Sequence, residues 1–393
     1  MIITRVRLQN WKNFQSIDVP LQPRTFLVGA NASGKSNFLD AIRFLRDVAR
    51  PAGGLQYAVG ERDGVTKIRC LAARAKSDIE LEVHLAESLS AGLRWKYVLG
   101  FKHIGGGIQK SEAQITKERV WDEQQQDWIL DRSPANEAND LEALKFTHLE
   151  QITSNKAFRQ VYNFFNEVQY LHVVPQLLRD ADSYILASHR EDFYGRNLLE
   201  RMAKTNANTR NAHLRRIGQA LRMAVPQLSE LNFVKDKKSG TPHLEARYEH
   251  WRAKGGKQRE AQFSDGTLRI VGFLWALMDG NETVLLEEPE LNLHAAIVKQ
   301  LAEFISQVQH RRGRVRQVIM TTHSYDLLSN EGISGEEVLV LEPSAEGTTI
   351  QPAAAVGEVK ALLEAGFSVA EAALPKVAPH DISQFNGAHR AIG

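Results

Sequence analysis

One segment near the amino terminus restricts the fold of this chain more than any other. Residues 27–45 read LVGANASGKSNFLDAIRFL, and they contain the pattern G-x-x-x-x-G-K-[ST] from Gly29 to Ser36. An apolar run, TFLV at 25–28, precedes the glycine, and apolar residues recur at i, i+3, i+4 and i+7 from Phe38. This order predicts a buried strand, a glycine-bearing loop and an amphipathic helix, which is the context that a phosphate-binding loop requires.

The loop predicts that the chain binds the phosphates of a nucleoside triphosphate. Its glycines let backbone N–H groups approach phosphate oxygens, and the following helix terminus adds positive potential. Lys35 is expected on the β- and γ-phosphates, and the Ser36 hydroxyl is expected to ligate Mg²⁺. A chance match in a glycine-bearing turn is the alternative, which the flanking strand and helix disfavour. The expected nucleotide-binding residues are Asn31, Ser33, Gly34, Lys35, Ser36 and Asn37.

Composition is typical of a globular protein and indicates no special partner. The chain has 393 residues, 43% of them apolar and 24% charged, with a net charge of +2. The length predicts about two domains, or one large domain with an inserted lobe. A single cysteine, Cys70, leaves no internal disulfide or cysteine zinc cluster. Residues 1–11 lack a signal-peptide core and no run of about 18 apolar residues occurs, so we expect a cytoplasmic protein without a membrane span.

The middle of the chain changes character twice. Between residues 66 and 130, alternating apolar and polar residues predict an antiparallel β region. Residues 192–225 have a polar, helical pattern that is rich in basic side chains, and the part from Arg196 to Arg222 contains a single acid, Glu200. The basic residues are Arg196, Arg201, Lys204, Arg210, Arg215, Arg216 and Arg222. With a second basic run, RRGRVR at 311–316, they predict a surface for nucleic acid or for an acidic protein, and a solvated helix face is the alternative.

The segment TVLLEEPELNLH, residues 283–294, runs from an apolar strand into two carboxylates. A strand that presents acids at its carboxyl end beside a phosphate-binding loop suits the positioning of Mg²⁺ and water. Glu287 is expected to hold the metal, directly or through water, and Glu288 to act as the base or orienter for the attacking water. A solvated acidic turn is the alternative, and the apolar run before the acids disfavours it.

Two further segments place polar residues where an element begins or ends. In FSDGTLRIVGFLWAL, Ser264 and Gly266 stand at the start of a helix and predict a second anion site, with a plain helix cap as the alternative. In VIMTTHSYDLL, an apolar strand ends near His323, which is expected to bond a γ-phosphate or the attacking water. A lone histidine is usually structural. One strand–helix–strand unit separates His323 from the carboxylates, however, so a parallel sheet would bring them together.

Together these segments resemble ABC-class P-loop ATPases, in particular the SMC, RecF and OLD ATPases and the stand-alone ATPases of bacterial phage-defence systems. The resemblance is carried by NWKNF, GANASGKSN, FSDGTLR, LLEEPELNLH and TTHS. It implies an α/β fold with an ABC-ATPase-type P-loop core and mixed sheet, an antiparallel β lobe and an inserted helical lobe. The expected regions are a nucleotide-binding lobe at 1–175, a basic helical lobe at 176–262, the remaining ATPase core at 263–343 and a tail at 344–393.

The resemblance also implies a role for each matching residue of the core. Lys35 and Ser36 correspond to the ligands of phosphate and Mg²⁺. Glu288 corresponds to the catalytic glutamate and His323 to the switch histidine, so that Lys35, Glu288 and His323 form the expected catalytic set. Residues 290–294 correspond to the D-loop, the segment that follows the catalytic glutamate.

The resemblance implies that the site is completed by another chain. Ser264 and Gly266 occupy signature positions that contact the γ-phosphate bound by a partner subunit. Gln176 is the candidate for the glutamine loop and for a Mg²⁺ ligand, with Gln169 as the alternative. Two features depart from the wider class: Glu287 replaces the usual aspartate, and Asp265 adds a negative charge to the signature, which a basic group or the helix end would have to compensate.

These implications predict a homodimer or higher homo-oligomer that encloses ATP at shared sites. No sustained heptads are present, so we expect no long coiled coil. The segment after Leu341 is too short for a further nuclease domain of about 150 residues, so an effector, a nuclease or a toxin, is expected to be separately encoded. The first functional hypothesis is therefore a sensor or regulatory ATPase of anti-phage defence. The second is a RecF-like ATPase that binds DNA through its basic residues during repair or maintenance.

Overall fold

The computed structural model describes residues 1–73, 78–105, 112–179, 195, 197–249, 256–309 and 316–378. The chain forms two compact units: unit one joins Met1–Val168 to Ile333–Gly393, and unit two is Gln169–Gly332. The four predicted regions divide the chain at other positions and stay predictions. In the described ranges, no helix combines the length and apolar character needed to cross a membrane.

Both units contain strands and helices. The strands are β1 (Ile2–Trp11), β2 (Phe14–Pro20), β3 (Arg24–Gly29), β4 (Ile79–Ala86), β5 (Trp95–Ile104), β6 (Glu112–Asp122), β7 (Asp127–Arg132), β8 (Gln169–Leu171), β9 (Leu228–Lys235), β10 (Pro242–Tyr248), β11 (Lys257–Arg259), β12 (Val284–Glu287), β13 (Val318–Thr321), β14 (Val338–Ser344) and β15 (Gly347–Pro352). The α-helices are α1 (Lys35–Ala49), α2 (Leu55–Gly60), α3 (Val65–Ile68), α4 (Arg159–Glu167), α5 (Pro175–Arg179), α6 (Leu198–Lys204), α7 (Ala207–Ala224), α8 (Asp265–Met278), α9 (Ala295–Gln309), α10 (Tyr325–Leu328), α11 (Gly357–Glu364) and α12 (Val369–Ala373).

The predicted antiparallel β region at 66–130 contributes β4, β5, β6 and β7 to a sheet of unit one with the strand order β2-β1-β4-β5-β6-β7. Alternate residues of β4 are buried, as a strand with one covered face requires. Helix α1 contacts this sheet through Phe44, whose ring stacks on Phe101 at 5.3 Å and meets Trp11 edge-on at 5.3 Å. The helix that follows the glycine loop is therefore anchored by aromatic packing in the core of unit one.

Strand β3 leads directly into the glycine loop. All its residues from Arg24 to Gly29 are buried, as the apolar run predicted. Strand β14 pairs with it in parallel, with Leu339 opposite Leu27, and pairs on its other side with β15 in the antiparallel sense. This combination confirms the mixed sheet that was expected for the core.

Unit two contains a short parallel sheet and an antiparallel one. Strand β12 lies parallel to both β13 and β8, with Glu287 opposite Thr321. Strands β9, β10 and β11 form the antiparallel sheet, on which α7 packs through β9. The segment predicted as a basic helical lobe thus contains this small sheet in addition to α6 and α7.

A cluster of charges surrounds one buried carboxylate of α1. Asp40 pairs with Arg62 at 2.8 Å, with Lys12 at 3.1 Å and with Arg43 at 3.3 Å, and Arg62 also reaches Asp47 at 3.0 Å. Burial alone would raise the pKa of Asp40. The charge and hydrogen bonds of Arg62, assisted by Arg43 and Lys12, outweigh burial and lower this pKa to about 2.

We expect Asp40→Asn to flatten the acid dependence of stability. Because the pKa of Asp40 falls from 3.8 to about 2 on folding, its charged form stabilises the protein above pH 4. That stabilisation, about 2 kcal/mol, is lost as the pH falls from about 4 to about 2. The free energy of unfolding from urea titrations should therefore decline less steeply over this window in the variant. Asp18→Asn removes a partner of Arg5 on the exposed surface and is the matched control, with a smaller expected effect. Equal slopes in wild type and Asp40→Asn would contradict the assignment.

Candidate functional site

The glycine loop of unit one has the curled backbone that phosphate binding needs. Gly34 adopts φ 102°, a left-handed conformation that suits glycine, and immediately precedes α1. A Cβ on Gly29 would lie 2.4 Å from Ser33 Oγ, so the loop closes tightly over the end of β3. The Lys35 ammonium donates to the carbonyls of Gly29 at 3.0 Å and Ala30 at 3.1 Å. The lysine therefore lies across its own loop, with its charge at the loop centre.

The other predicted phosphate ligands of unit one differ in exposure. Asn31 and Ser36 are exposed, so their side chains are accessible to a ligand. Ser33 is buried, and its hydroxyl finds no hydrogen-bond partner in the described residues. Asn37 donates its side-chain amide to Asn13 at 2.8 Å. A buried hydroxyl without a partner inside a glycine loop fits a bound phosphate oxygen, because buried polar groups are normally satisfied.

Asn13 braces the loop and was not assigned a role from the sequence. Its amide donates to the Ser33 carbonyl at 2.8 Å and to the Thr348 hydroxyl at 2.7 Å, while its carbonyl accepts from Asn37. A Cβ on Gly34 would lie 2.1 Å from the Asn13 amide nitrogen, so only glycine fits there. The motif NWKNF contains Asn13, but no local pattern indicates that this residue reaches a loop twenty positions away.

The acidic strand β12 of unit two ends at the same edge of the sheet as its parallel neighbour β13. Glu287, the last residue of β12, lies 3.6 Å from His172 Nδ1. The next residue, Glu288, has a strained φ of 38°, and its backbone N–H donates to the Thr321 hydroxyl at 3.1 Å. His323 Nε2 lies 3.3 Å from Glu288 Oε1. The structure thus brings together the carboxylate and the histidine that the strand–helix–strand order predicted to be neighbours.

Glu290 supports the contact between Glu288 and His323. It is buried and accepts hydrogen bonds from the Thr322 hydroxyl and from the His323 backbone N–H. Burial raises the pKa of Glu290, against the lowering effect of these hydrogen bonds. Glu290 therefore holds the turn that carries His323. The assignment of residues 290–294 to the D-loop did not predict this positioning role.

The signature segment begins α8. Ser264 caps the helix by accepting from the Thr267 N–H at 3.2 Å, and its side chain is exposed. Gly266 packs against the D-loop segment, since a Cβ there would lie 2.9 Å from the Asn292 carbonyl oxygen. The signature segment and residues 290–294 are therefore closely packed against each other within unit two.

The charge of Asp265 is compensated inside unit two. Arg179 Nη2 lies 2.5 Å from Asp265 Oδ1 and donates to the Phe263 carbonyl at 2.6 Å. The Gln176 amide nitrogen donates to Asp265 Oδ2 at 3.0 Å. Gln176 is exposed near the signature, whereas the alternative Gln169 lies at the opposite end of β8 and bonds Arg201. The role of Gln176 as a metal ligand stays a prediction.

Arg269 is a second residue that the sequence analysis missed. It is buried on α8, and its Nε and Nη1 have no hydrogen-bond partner within the described ranges. Burial lowers its pKa, against the raising effect of Asp265, Glu288 and Glu290. It lines a small cavity with Leu171, Val173, Phe273, Leu286, Glu287 and Pro289. An incompletely bonded cation thus lies among the carboxylates of the candidate site.

The basic residues predicted to form a partner surface divide into two groups. Arg201 pairs with Asp279, Arg210 donates to the carbonyls of Met202 and Thr205, and Arg222 donates to the carbonyl of Leu228, so these three serve the fold. Arg316 is buried. Exposed positions are Lys204, Arg215, Arg216 and also Arg222, which makes its bond to the Leu228 carbonyl from the surface. Arg196 and residues 311–315 lie outside the described residues.

Comparison with protein families matches most of the chain to a known family. A family model described as "AAA domain, putative AbiEii toxin, Type IV TA system" matches residues 24–329, which is well over half of the chain. The matched range includes the glycine loop, the signature segment, the acidic strand and His323. A search of curated proteins gives no match.

Solved structures with a similar fold include heads of SMC proteins. The structure described as "Crystal structure of the SmcHead bound to the C-winged helix domain of ScpA" has a TM-score of 0.51 and 14% identity, over 89% of this chain and 98% of that one. The SMC head domain from Thermotoga maritima has a TM-score of 0.44 and 14% identity, over 90% and 99%. The Smc head from Pyrococcus furiosus bound to the C-terminal domain of ScpA has 0.49 and 12%, over 93% and 99%. The first similarity confirms the expected fold class.

Two buried arginines of unit two should respond differently to replacement by methionine. Arg316 donates to the carbonyls of Ala276 at 2.6 Å and Glu282 at 2.8 Å, and burial lowers its pKa to about 10. Arg316→Met should lower the melting temperature, because it leaves these carbonyls unpaired at a cost of about 1–3 kcal/mol. Arg269→Met removes a buried charge with few hydrogen bonds, so the melting temperature should stay the same or rise. Calorimetry on both variants checks this; equal destabilisation would contradict it.

Proposed function

The chain belongs to the AAA domain family whose model matches residues 24–329, and on this premise we propose that it binds and hydrolyses ATP. The fold is that of an ABC-class P-loop ATPase of the SMC kind. The observation that carries the proposal is the 3.3 Å approach of His323 to Glu288 at the end of a buried parallel strand, in a chain that also has the Lys35 loop. A base held by an orienting group is the arrangement that activation of water requires.

The hydrolytic step uses groups that the chain itself supplies. Lys35 and the loop N–H groups bind the phosphates, and the buried Ser33 hydroxyl gains a partner. Glu288 takes a proton from water while the water oxygen forms a bond to the γ-phosphorus. The bond from that phosphorus to the bridging oxygen breaks, and ADP keeps the electron pair. His323 holds the Glu288 side chain in place and completes the contacts around the attacking water.

The side chains assigned to Mg²⁺ fit this cation. Ser36 offers an exposed hydroxyl in the first turn of α1, and Glu287 offers a carboxylate at the end of β12. Both are hard oxygen donors, which Mg²⁺ takes together with phosphate oxygens and water. With the Gln176 carbonyl they are the proposed ligands. Bound Mg²⁺ would supply positive charge to the phosphates.

A second copy of the chain completes the site in this proposal. Ser264 is exposed at the amino terminus of α8, where the helix end favours an anion. The resemblance assigns Ser264 and Gly266 to the γ-phosphate of another subunit. ATP binding then joins two chains, or a larger set of such pairs, and hydrolysis separates them.

A separately encoded effector is the proposed partner of this dimer, and anti-phage defence is the proposed setting. The family description contains both a toxin and a type IV toxin–antitoxin system, and one structure of similar fold is an SmcHead with a domain of the separate protein ScpA. A DNA-binding role has narrower support, because Arg201, Arg210 and Arg222 bond to the chain itself. Lys204, Arg215 and Arg216 are the remaining exposed residues of the predicted set in the described ranges.

Glu288→Gln should slow ATP hydrolysis by a factor of about 10²–10⁴, because the base for the attacking water is lost. The same variant should accumulate an ATP-bound dimer, measured by light scattering with and without ATP and Mg²⁺. Lys35→Ala should not bind ATP, and its molecular mass in solution should not change when ATP is added. Glu303→Gln, an exposed carboxylate of α9, is the matched control and should behave as wild type. No phosphate release by wild type, with no ATP-linked change in assembly of Glu288→Gln, would refute the proposal.

The regulatory part predicts an ATP-dependent complex with a protein encoded beside this chain. The Glu288→Gln and Lys35→Ala variants are each co-expressed with that protein. The molecular mass of each purified complex is then measured with and without ATP. The two variants should differ in affinity for the neighbouring protein, because Glu288→Gln accumulates the ATP-bound dimer and Lys35→Ala does not form it. Equal binding to both variants, or binding to neither, would contradict regulation through the ATP-bound dimer.

A further inference from the structure

The signature loop of this chain carries a carboxylate where it is proposed to meet a triphosphate. Asp265 lies between Ser264 and Gly266, the two residues assigned to the γ-phosphate of a second copy. An uncompensated carboxylate there would repel the nucleotide phosphates, since like charges within a few ångströms oppose each other's ionised forms. The loop therefore needs a cation that stays with it as it approaches ATP.

Arg179 supplies that cation and also holds the loop backbone. Its Nη2 lies 2.5 Å from Asp265 Oδ1 and 2.6 Å from the Phe263 carbonyl oxygen. One nitrogen thus contacts the residues on both sides of Ser264. The Gln176 amide occupies the other Asp265 oxygen at 3.0 Å, so both carboxylate oxygens are engaged from α5.

Arg179 does more than form a surface ion pair, because it contacts the Phe263 carbonyl as well as Asp265. The side chains of Arg179 and Asp265 are 26% and 33% exposed, and a pair of that exposure contributes little to stability by itself. The contact to the Phe263 carbonyl does nothing for the charge of Asp265. It fixes the backbone before Ser264, while the ion pair fixes the backbone after it. The combined effect is to orient Ser264 with the loop charge neutralised.

We propose that Arg179 is the positioning residue of the signature loop: it neutralises Asp265 and sets Ser264 so that the loop can close on the γ-phosphate of ATP held by a second copy of the chain. This inference rests on the proposed function. Arg179 touches the loop and not the reacting atoms, so its effect on hydrolysis passes through Ser264 and the charge of Asp265.

A double-mutant cycle in the full-length chain tests the proposal. Arg179→Ala should lower ATP hydrolysis at least tenfold and weaken ATP-linked dimerisation when combined with Glu288→Gln. In the Asp265→Asn background, the same Arg179→Ala change should cost less than threefold, because it then removes only the contact to the Phe263 carbonyl and leaves no charge to neutralise. Melting temperatures check that each variant is folded. Arg247→Ala, which removes an exposed ion pair with Glu230, is the matched control.

The rescue by Asp265→Asn separates this role from a structural one. If Arg179 only stabilised the fold, Asp265→Asn would not restore activity to Arg179→Ala, because it removes the other half of the same ion pair. Full activity in Arg179→Ala, or equal losses with and without Asp265→Asn, would overturn the inference while leaving the proposed function in place. A wild-type chain that neither hydrolyses ATP nor assembles with it would overturn both.

Discussion

The parallel pairing of β12 with β13 is the interaction on which the candidate chemistry of unit two depends. It places Glu287 opposite Thr321, so the residues that follow both strands leave the sheet at one edge. Glu288, Glu290 and His323 then meet through a carboxylate–imidazole contact and a backbone hydrogen bond. A slip of one residue would turn each side chain to the opposite face and remove these contacts. The apolar pairing of the strands therefore fixes the geometry of the polar groups beyond them.

In unit one, the important contacts are those that fix the conformation of the glycine loop. Aromatic packing of Phe44 and the charges around Asp40 anchor α1, and Asn13 ties the loop to Thr348. Gly34 can take its left-handed conformation because these contacts fix both flanks of the loop. These contacts hold the loop in one shape, so the proposed binding of phosphate would require little further ordering.

The parts of the site that could be predicted are those with local or periodic patterns. Strand β3, the glycine loop and α1 follow from a contiguous stretch, and the meeting of Glu288 with His323 follows from the rules of parallel sheets. Arg179, Asn13 and Arg269 could not be predicted, because their partners are distant in sequence and are chosen by tertiary packing. A count of charges also did not predict which basic side chains are available to a partner. Arg201 and Arg210 belong to a basic run, yet Arg201 pairs with Asp279 and Arg210 donates to the Met202 carbonyl. The segment 140–169 has a helical pattern, but part of it is 3₁₀ at Leu141–Lys145 and Ser154–Phe158.

The contact between Gln176 and Asp265 has a consequence for the chemistry of the amide. A carboxylate can only accept hydrogen bonds, so it selects the nitrogen end of the Gln176 side chain and turns the carbonyl end away. An amide that could otherwise take either of two orientations is thereby given one direction, with its oxygen away from Asp265. The acidic residue of the signature loop thus orients a neutral side chain whose oxygen is a proposed Mg²⁺ ligand.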